Sequence, residues 1–294
     1  MHIPDGYLGP YTIVATWLIM IPIWVYSARR LGRELRSRQV PLLALSAAFS
    51  FVIMMFNVPI PGGSTGHAVG GAIIGIVLGP WAAVISISVA LVLQALMFGD
   101  GGITAIAANC FNMAVLMPFS AYYVYKIVSG SSDVTSGRRT IAAAIAGYIS
   151  LTLAAAMTGF MFGIQPLLHK DAAGYPLYMP YGLNVALPAM IIEHALGFSF
   201  LEAIVTALIF AYIQRADPSL LAHGKPSRAS LGCVLASLRS ATITLRLHEV
   251  LTQWISIRTC SFIIRAHEPC LEGSSCQIHI VLISPDSTTQ CCVG

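Results

Sequence analysis

Charge is what this chain has least of. Its 294 residues include 16 Lys and Arg and 12 Asp and Glu, 10% in all, where a soluble globular domain carries about 25%. With 56% hydrophobic residues there is too little polar surface to wrap a water-soluble core, and the chain reads as an all-α polytopic membrane protein. The net charge of +4 sits in a few loops, as a topology signal does, and no nucleic-acid footprint is formed. Basic residues are missing ahead of the first apolar run and follow it instead, at Arg29, Arg30, Arg33, Arg36 and Arg38, which argues against a cleaved signal peptide and for retention of Met1. Cysteine is nearly absent before residue 225, where only Cys110 occurs. The other six (Cys233, Cys260, Cys270, Cys276, Cys291, Cys292) follow no zinc or disulfide spacing.

Catalytic motifs are missing too. Gly224-Lys225 is followed by Pro226 rather than the Ser or Thr of a phosphate-binding loop, so no nucleotide is hydrolysed by that route. No His-Glu-x-x-His occurs, and Met97 stands where an intramembrane aspartyl protease needs a glycine ahead of Gly99-Asp100. An enzyme is not expected.

What is present is a series of apolar runs. Membrane spans are expected at 10–28, 40–60, 66–79, 81–98, 103–126, 140–164 and 185–213. The basic segment 29–38, the loop holding Lys126, Arg138 and Arg139, and Arg215 all fall on one side if there are about seven spans with the N-terminus outside; Lys170 is the one exception. The stretch Asn57-Val-Pro-Ile-Pro-Gly-Gly-Ser-Thr-Gly-His67 has two prolines and three glycines, which deny it a regular helix and make it a structured outer turn. Gly71, Gly75 and Gly79 share a helical face, and their plain reading is close packing. Two domains are expected: a transmembrane body over 1–224, and a Ser-, Cys- and Arg-containing tail over 225–294, read either as a soluble extension or as sequence translated beyond the natural frame.

The first residues, Met1-His-Ile-Pro-Asp-Gly6, carry a chemical possibility of their own. The Met1 α-amine, the His2 backbone nitrogen and His2 Nδ1 close a five-membered and a six-membered chelate ring on one metal ion. That leaves the fourth corner of a square plane for another imidazole, and His67, on the same predicted side, is the candidate. Polar groups around the spans ask for partners. Gln94, Asn109 and Asn112 flank the turn Gly99–Gly102, and serve either as interhelical hydrogen-bonders or to orient a ligand. Asp5 and Asp100 read as helix caps, with Asp5 alternatively holding the His2 ring. Glu193, His194 and Glu202 form a structural group or a proton or cation path.

Several of these segments carry a resemblance. Met1-His-Ile-Pro-Asp-Gly-Tyr-Leu8, Arg38-Gln-Val-Pro-Leu-Leu43, the 57–67 motif with Ser64 and Thr65, Leu78-Gly-Pro-Trp81, Gln94-Ala-Leu-Met-Phe-Gly-Asp-Gly-Gly102, Asn109 to Asn112, and His194 with Glu202 to Thr206 together resemble the CbiM/NikM family over about residues 1–222. The resemblance implies the substrate-binding component of an energy-coupling-factor importer of Co(II) or Ni(II), in the plasma membrane of a prokaryote. Its metal site would be Met1, His2 and His67, with Asp5, Ser64, Thr65, Gln94, Asp100, Asn109 and Asn112 around it. It implies no cofactor beyond the transported ion. It also implies a lipid bilayer and three protein partners: a small CbiN/NikN-type membrane subunit, a CbiQ/NikQ-type coupling protein and a CbiO/NikO-type ATPase. Two other readings stand beside this one: a self-contained secondary transporter or channel using Glu193, His194 and Glu202, and a membrane scaffold with an incidental metal site.

Overall fold

The computed structural model describes residues 1–34, 40–60 and 64–221 together with three short strands further on. The chain divides into two compact units, Met1–Ala236 and Ser237–Gly294. The second unit holds β3 (Ser261–Phe262), β4 (Val281–Ile283) and β5 (Cys291–Cys292), paired antiparallel in that order. Arg36 and Arg38 of the basic loop, and the rest of what was read in 225–294, lie outside the described residues.

The first unit is helical. Among the described residues four stretches are long and apolar enough to cross a membrane: Pro10–Arg33, Pro80–Phe98, Gly137–Leu168 and Leu183–Ala216. Helix α1 (Pro10–Glu34) begins on a proline, whose fixed φ and missing N–H suit the first helical position. Helix α2 (Val40–Met54) is shorter and leads to a hairpin of β1 (Val58–Ile60) and β2 (Ser64–Gly66), which is the structured turn expected at 57–67. Helix α3 (Gly71–Leu78) follows Gly70, in the left-handed region at φ 72°. The helix expected through 66–79 is shorter than drawn: His67 to Gly70 form an irregular strap, and only the eight residues of α3 are helical, rising about 12 Å of the roughly 30 Å of a bilayer core.

Helix α4 (Pro80–Leu93) starts on Pro80 and runs into a π-helical turn at Gln94–Phe98. Helix α5 (Ile106–Cys110), a second π turn (Phe111–Leu116) and α6 (Met117–Ser129) form one continuous stack. Helix α7 (Gly137–Gly163) is capped by Ser136, whose hydroxyl accepts from the Arg138 N–H. Then come the short α8 (Gln165–Leu168), α9 (Leu183–Glu193), a third π turn (His194–Phe198) and α10 (Ser199–Ala216).

Polarity is inverted relative to a soluble bundle. Leu18, Leu45, Ile127, Leu196 and Leu208 are exposed, whereas Ser86, Gln94, Asn112, Thr158, Glu202 and Thr206 are buried. Apolar faces outside and polar groups inside are what a lipid solvent selects. The glycine face of α3 behaves as packing at two positions: a Cβ on Gly75 would lie 2.8 Å from the Pro118 carbonyl oxygen, and one on Gly71 would press on Met117. Gly79 meets nothing and instead supplies the turn at φ 85° between α3 and α4.

Candidate metal site

The N-terminus runs into the protein rather than away from it. Met1, Ile3 and Leu8 are almost fully buried, and the backbone of Ile3 is clamped from both sides. Its N–H donates to Asn109 Oδ1 at 2.8 Å, and its carbonyl accepts from the Gly102 N–H at 2.8 Å and from Asn109 Nδ2 at 3.2 Å. Gly9 N–H donates to Gln165 Oε1 at 2.9 Å, which fixes the other end of the segment. A buried strand of chain must have its backbone groups satisfied, and here side chains from α5 and α8 do so.

That clamp brings the two predicted imidazoles together. The His2 and His67 ring centroids lie 4.6 Å apart at 40°, both rings are buried, and the Met1 amine donates to Thr65 Oγ1 at 3.3 Å in the adjoining strand β2. Burial drives the amine from its ordinary 8.0 down to about 4, against the upward pull of the Asp100 carboxylate. Near neutral pH it is therefore an uncharged nitrogen with a lone pair to give. Burial first, then the Met1 amine and the His2 ring, hold His67 well below the usual imidazole range; His194 adds a smaller push the same way. His67 Nδ1 lies 3.0 Å from the Ala68 carbonyl, an acceptor, so the proton resides on Nδ1 and the lone pair on Nε2, a buried atom with no hydrogen-bond partner.

The His2 ring is held by Asp100, with Nδ1 2.6 Å from Oδ1, and Asp100 Oδ2 accepts from Asn57 Nδ2 at 3.0 Å. Burial lowers the His2 ring, and the hydrogen bond to Asp100 only partly restores it. Burial would raise Asp100, but the His2 and Asn57 contacts outweigh it and leave this carboxyl below its ordinary range. The pair is thus a neutral imidazole donating to a carboxylate. Chelation through Nδ1 requires this bond to be exchanged for a metal bond.

Asp5 bonds elsewhere, and Asp100 fills the ring-holding role considered for it. The Asp5 carboxylate accepts from the Ile103 and Thr104 N–H groups, both at 2.9 Å, and from the Thr104 hydroxyl, capping the turn that leads into α5. Those bonds hold it below the usual carboxylate range even though burial pulls the other way.

The other predicted residues divide. Asn109 serves the site by clamping Ile3, whereas Asn112 faces α7, donating to Thr158 Oγ1 at 2.9 Å. Gln94 donates to the Phe51 carbonyl at 3.3 Å, and its buried Oε1 has no partner. Ser64 contributes its backbone to β2, and its side chain lies outside what is described. Of Glu193, His194 and Glu202, His194 and Glu202 are buried and Glu193 is partly exposed, and Glu202 accepts from backbone N–H groups of the α3 strap. Two residues of the site went unnoticed in the sequence. Asn57 stands at the head of a motif that pointed to it, whereas Gln165, at the start of a loop, gave no signal.

Among the described residues no three His, Cys, Asp or Glu side chains gather as a metal-holding group. Beside the two imidazoles the nearest-placed main-chain nitrogens are the Met1 amine and the His2 amide.

Comparisons with known proteins agree on one relationship. The Rhodobacter capsulatus fused nickel transport protein NikMN is 53% identical over 229 residues, 78% of this chain; the chain spans 65% of that relative's length. A metal transport protein of Methanocaldococcus jannaschii, MJ1569, so named as a provisional assignment, is 46% identical over 75% of this chain and 94% of its own. The crystal structure of a truncated transition metal transporter superposes with a TM-score of 0.70 at 45% identity, covering 73% of this chain and 99% of that one. The model of the CbiM family, described as the cobalt uptake substrate-specific transmembrane region, matches residues 2–220, and the chain belongs to that family.

Proposed function

We propose that the chain is the substrate-capturing membrane component of an energy-coupling-factor importer, taking up Co(II) or Ni(II) through the Met1 amine, the His2 backbone nitrogen and ring, and His67. The capture body is residues 1–224, with about seven membrane passes and the N-terminus on the outer face of the plasma membrane. Relatives named as nickel and cobalt transport proteins support the cargo. The fused NikMN and LarMN names support a CbiN/NikN-type partner. The proposal adds a CbiQ/NikQ-type coupling protein and a CbiO/NikO-type ATPase, which supplies the energy in trans.

The observation that carries this reading is the pairing of a neutral buried amine with His67 Nε2, a buried lone pair with no hydrogen-bond partner, beside the His2 ring. An unsatisfied polar atom in a protein interior is costly, and a metal ion removes that cost. Nitrogen-rich square-planar geometry accepts both ions. In the capture step the ion loses its water to the four nitrogens, the His2 ring exchanges Asp100 for the metal, and the 57–67 hairpin covers the N-terminus. Release follows when the ATPase drives the coupling protein to reorient this chain.

The test is stoichiometric Ni(II) or Co(II) binding by the purified protein, together with uptake in cells that supply or withhold the ATPase. Binding near one ion per chain and uptake that disappears without the ATPase are expected; uptake independent of the ATPase overturns the proposal in favour of a secondary transporter.

The pH dependence has a definite sign. With the amine at about 4 and His67 also lowered, neither holds a proton to be displaced near pH 7, so only the His2 amide proton is released there. Affinity should fall about tenfold per pH unit from 8 to 6, one proton's worth, and more steeply as the pH approaches the amine's lowered pKa. A solvated chelate with an ordinary amine loses two protons or more at pH 7, so a slope of two or greater in that range contradicts the buried site.

A further inference from the structure

Glu202 is fully buried on α10, among the described residues no lysine or arginine is paired with it, and it is not near enough to His2 or Met1 to bond them. Its carboxylate is instead spread over the strap that carries His67. Oε2 accepts from the Val69 N–H at 2.8 Å and the Gly70 N–H at 3.0 Å, and Oε1 takes the Ala72 N–H at 3.4 Å. Val69 and Gly70 are two and three residues beyond the proposed ligand. The strap has few other holds: Ser50 Oγ of α2 donates to the Val69 carbonyl at 2.9 Å, and Gly70 turns the chain through its left-handed conformation into α3. A buried carboxylate accepting several N–H groups at the start of a helix makes strong, charge-assisted bonds aligned with the helix dipole. Its own position is fixed, because α10 is seated closely on α7: a Cβ on Gly147 would lie 3.2 Å from the Glu202 carbonyl oxygen and 3.1 Å from Thr206 Oγ1.

We infer that Glu202 is a positioning residue of the capture site, through which α10 sets where His67 Nε2 stands. The inference rests on the reading of His67 as a metal ligand. It assigns the intramembrane acid a task other than carrying protons or cations: it ties the fourth nitrogen of the square plane to a helix 130 residues or more away in sequence. A shift of α10 is then a shift of one ligand out of four, which is enough to weaken the site without dismantling it.

The experiment measures Ni(II) affinity and the visible absorption of bound Ni(II) in the full-length, untagged protein and in Glu202→Ala, Glu202→Gln, His67→Ala and the Glu202→Ala/His67→Ala double variant. Glu202→Ala should lose on the order of tenfold or more in affinity, within the range seen when a group supporting a metal ligand is removed. Its spectrum should move toward that of His67→Ala, because both lack a well-placed fourth nitrogen. Glu202→Gln keeps one oxygen for Val69 and Gly70 but opposes the Ala72 N–H with its own amide, so its loss should be intermediate. In the double variant, loss of Glu202 should add less than about twofold to the loss from His67→Ala, as for two residues acting through one contact. Full additivity, or wild-type affinity and spectrum in both Glu202 variants while His67→Ala is impaired, overturns the positioning role alone. Unimpaired binding by His67→Ala overturns the capture site itself.

Discussion

One residue added ahead of Met1 should abolish stoichiometric Ni(II) and Co(II) binding. The extension converts the Met1 amine into a peptide nitrogen, which binds a metal only after giving up its proton, as the His2 amide does, and moves the new amine one residue, about 3.8 Å, away. It breaks the five-membered ring, and the pocket offers no space for the displaced group, since Met1 is only 1% exposed and its amine is already placed against Thr65. Losing one donor of four together with its chelate ring should cost on the order of a thousandfold in affinity, about 4 kcal/mol. Equilibrium dialysis or calorimetry on the two proteins, both otherwise untagged, reads the difference directly. Equal binding that His67→Ala still impairs would move the site away from the amine; equal binding independent of His67 would mean a new chelate built from the added amine, two amide nitrogens and the His2 ring.

His67→Ala should have an effect of similar size on binding, on the order of a hundredfold to a thousandfold, and should abolish uptake in cells carrying the partner subunits. The ring contributes little to the fold: its Nδ1 bond is to its own neighbour Ala68, and the strap is held by Ser50 and Glu202 rather than by the imidazole. Helical content should therefore be unchanged, and remaining Ni(II) should show three nitrogens with the fourth position taken by solvent. Full metal uptake by this variant would rule the site out.

Much of this site was legible because its parts are close in sequence to strong signals. The chemistry of an N-terminal dipeptide suggests a chelate at Met1-His2, the charge bias of the loops predicts His67 on the same side, and the two ring centroids stand 4.6 Å apart. What stayed hidden depends on which residues tertiary packing brings together. Asp5 and Asp100 both follow or precede glycines in short turns, and nothing local says that Asp100 takes the His2 ring while Asp5 caps residues 103 and 104. Asn109 and Asn112 share a face by regular helical spacing, but the π turn that begins at Phe111 rotates Asn112 toward Thr158. The expected third span was drawn too long because an apolar run beginning at Ala68 looks helical by hydropathy. The backbone of Val69 and Gly70 answers instead to Glu202, more than 130 residues later, and no local pattern reports that.

The three π turns, at Gln94–Phe98, Phe111–Leu116 and His194–Phe198, have a consequence for how such a site changes over time. Each is a helix carrying one residue more than an α-helical turn needs. Deleting that surplus residue restores a regular α-helix, and because the π turn already absorbs the extra residue, the side chains beyond it keep nearly their phase. In the third turn Glu202 would still face the strap, whereas a deletion in α10 between that turn and Glu202 would swing the carboxylate by about 100° and free the strap. Loss of a single codon is therefore a small step at these three turns and a large one beside them, and the surplus residues give the helices places where a change in count is absorbed.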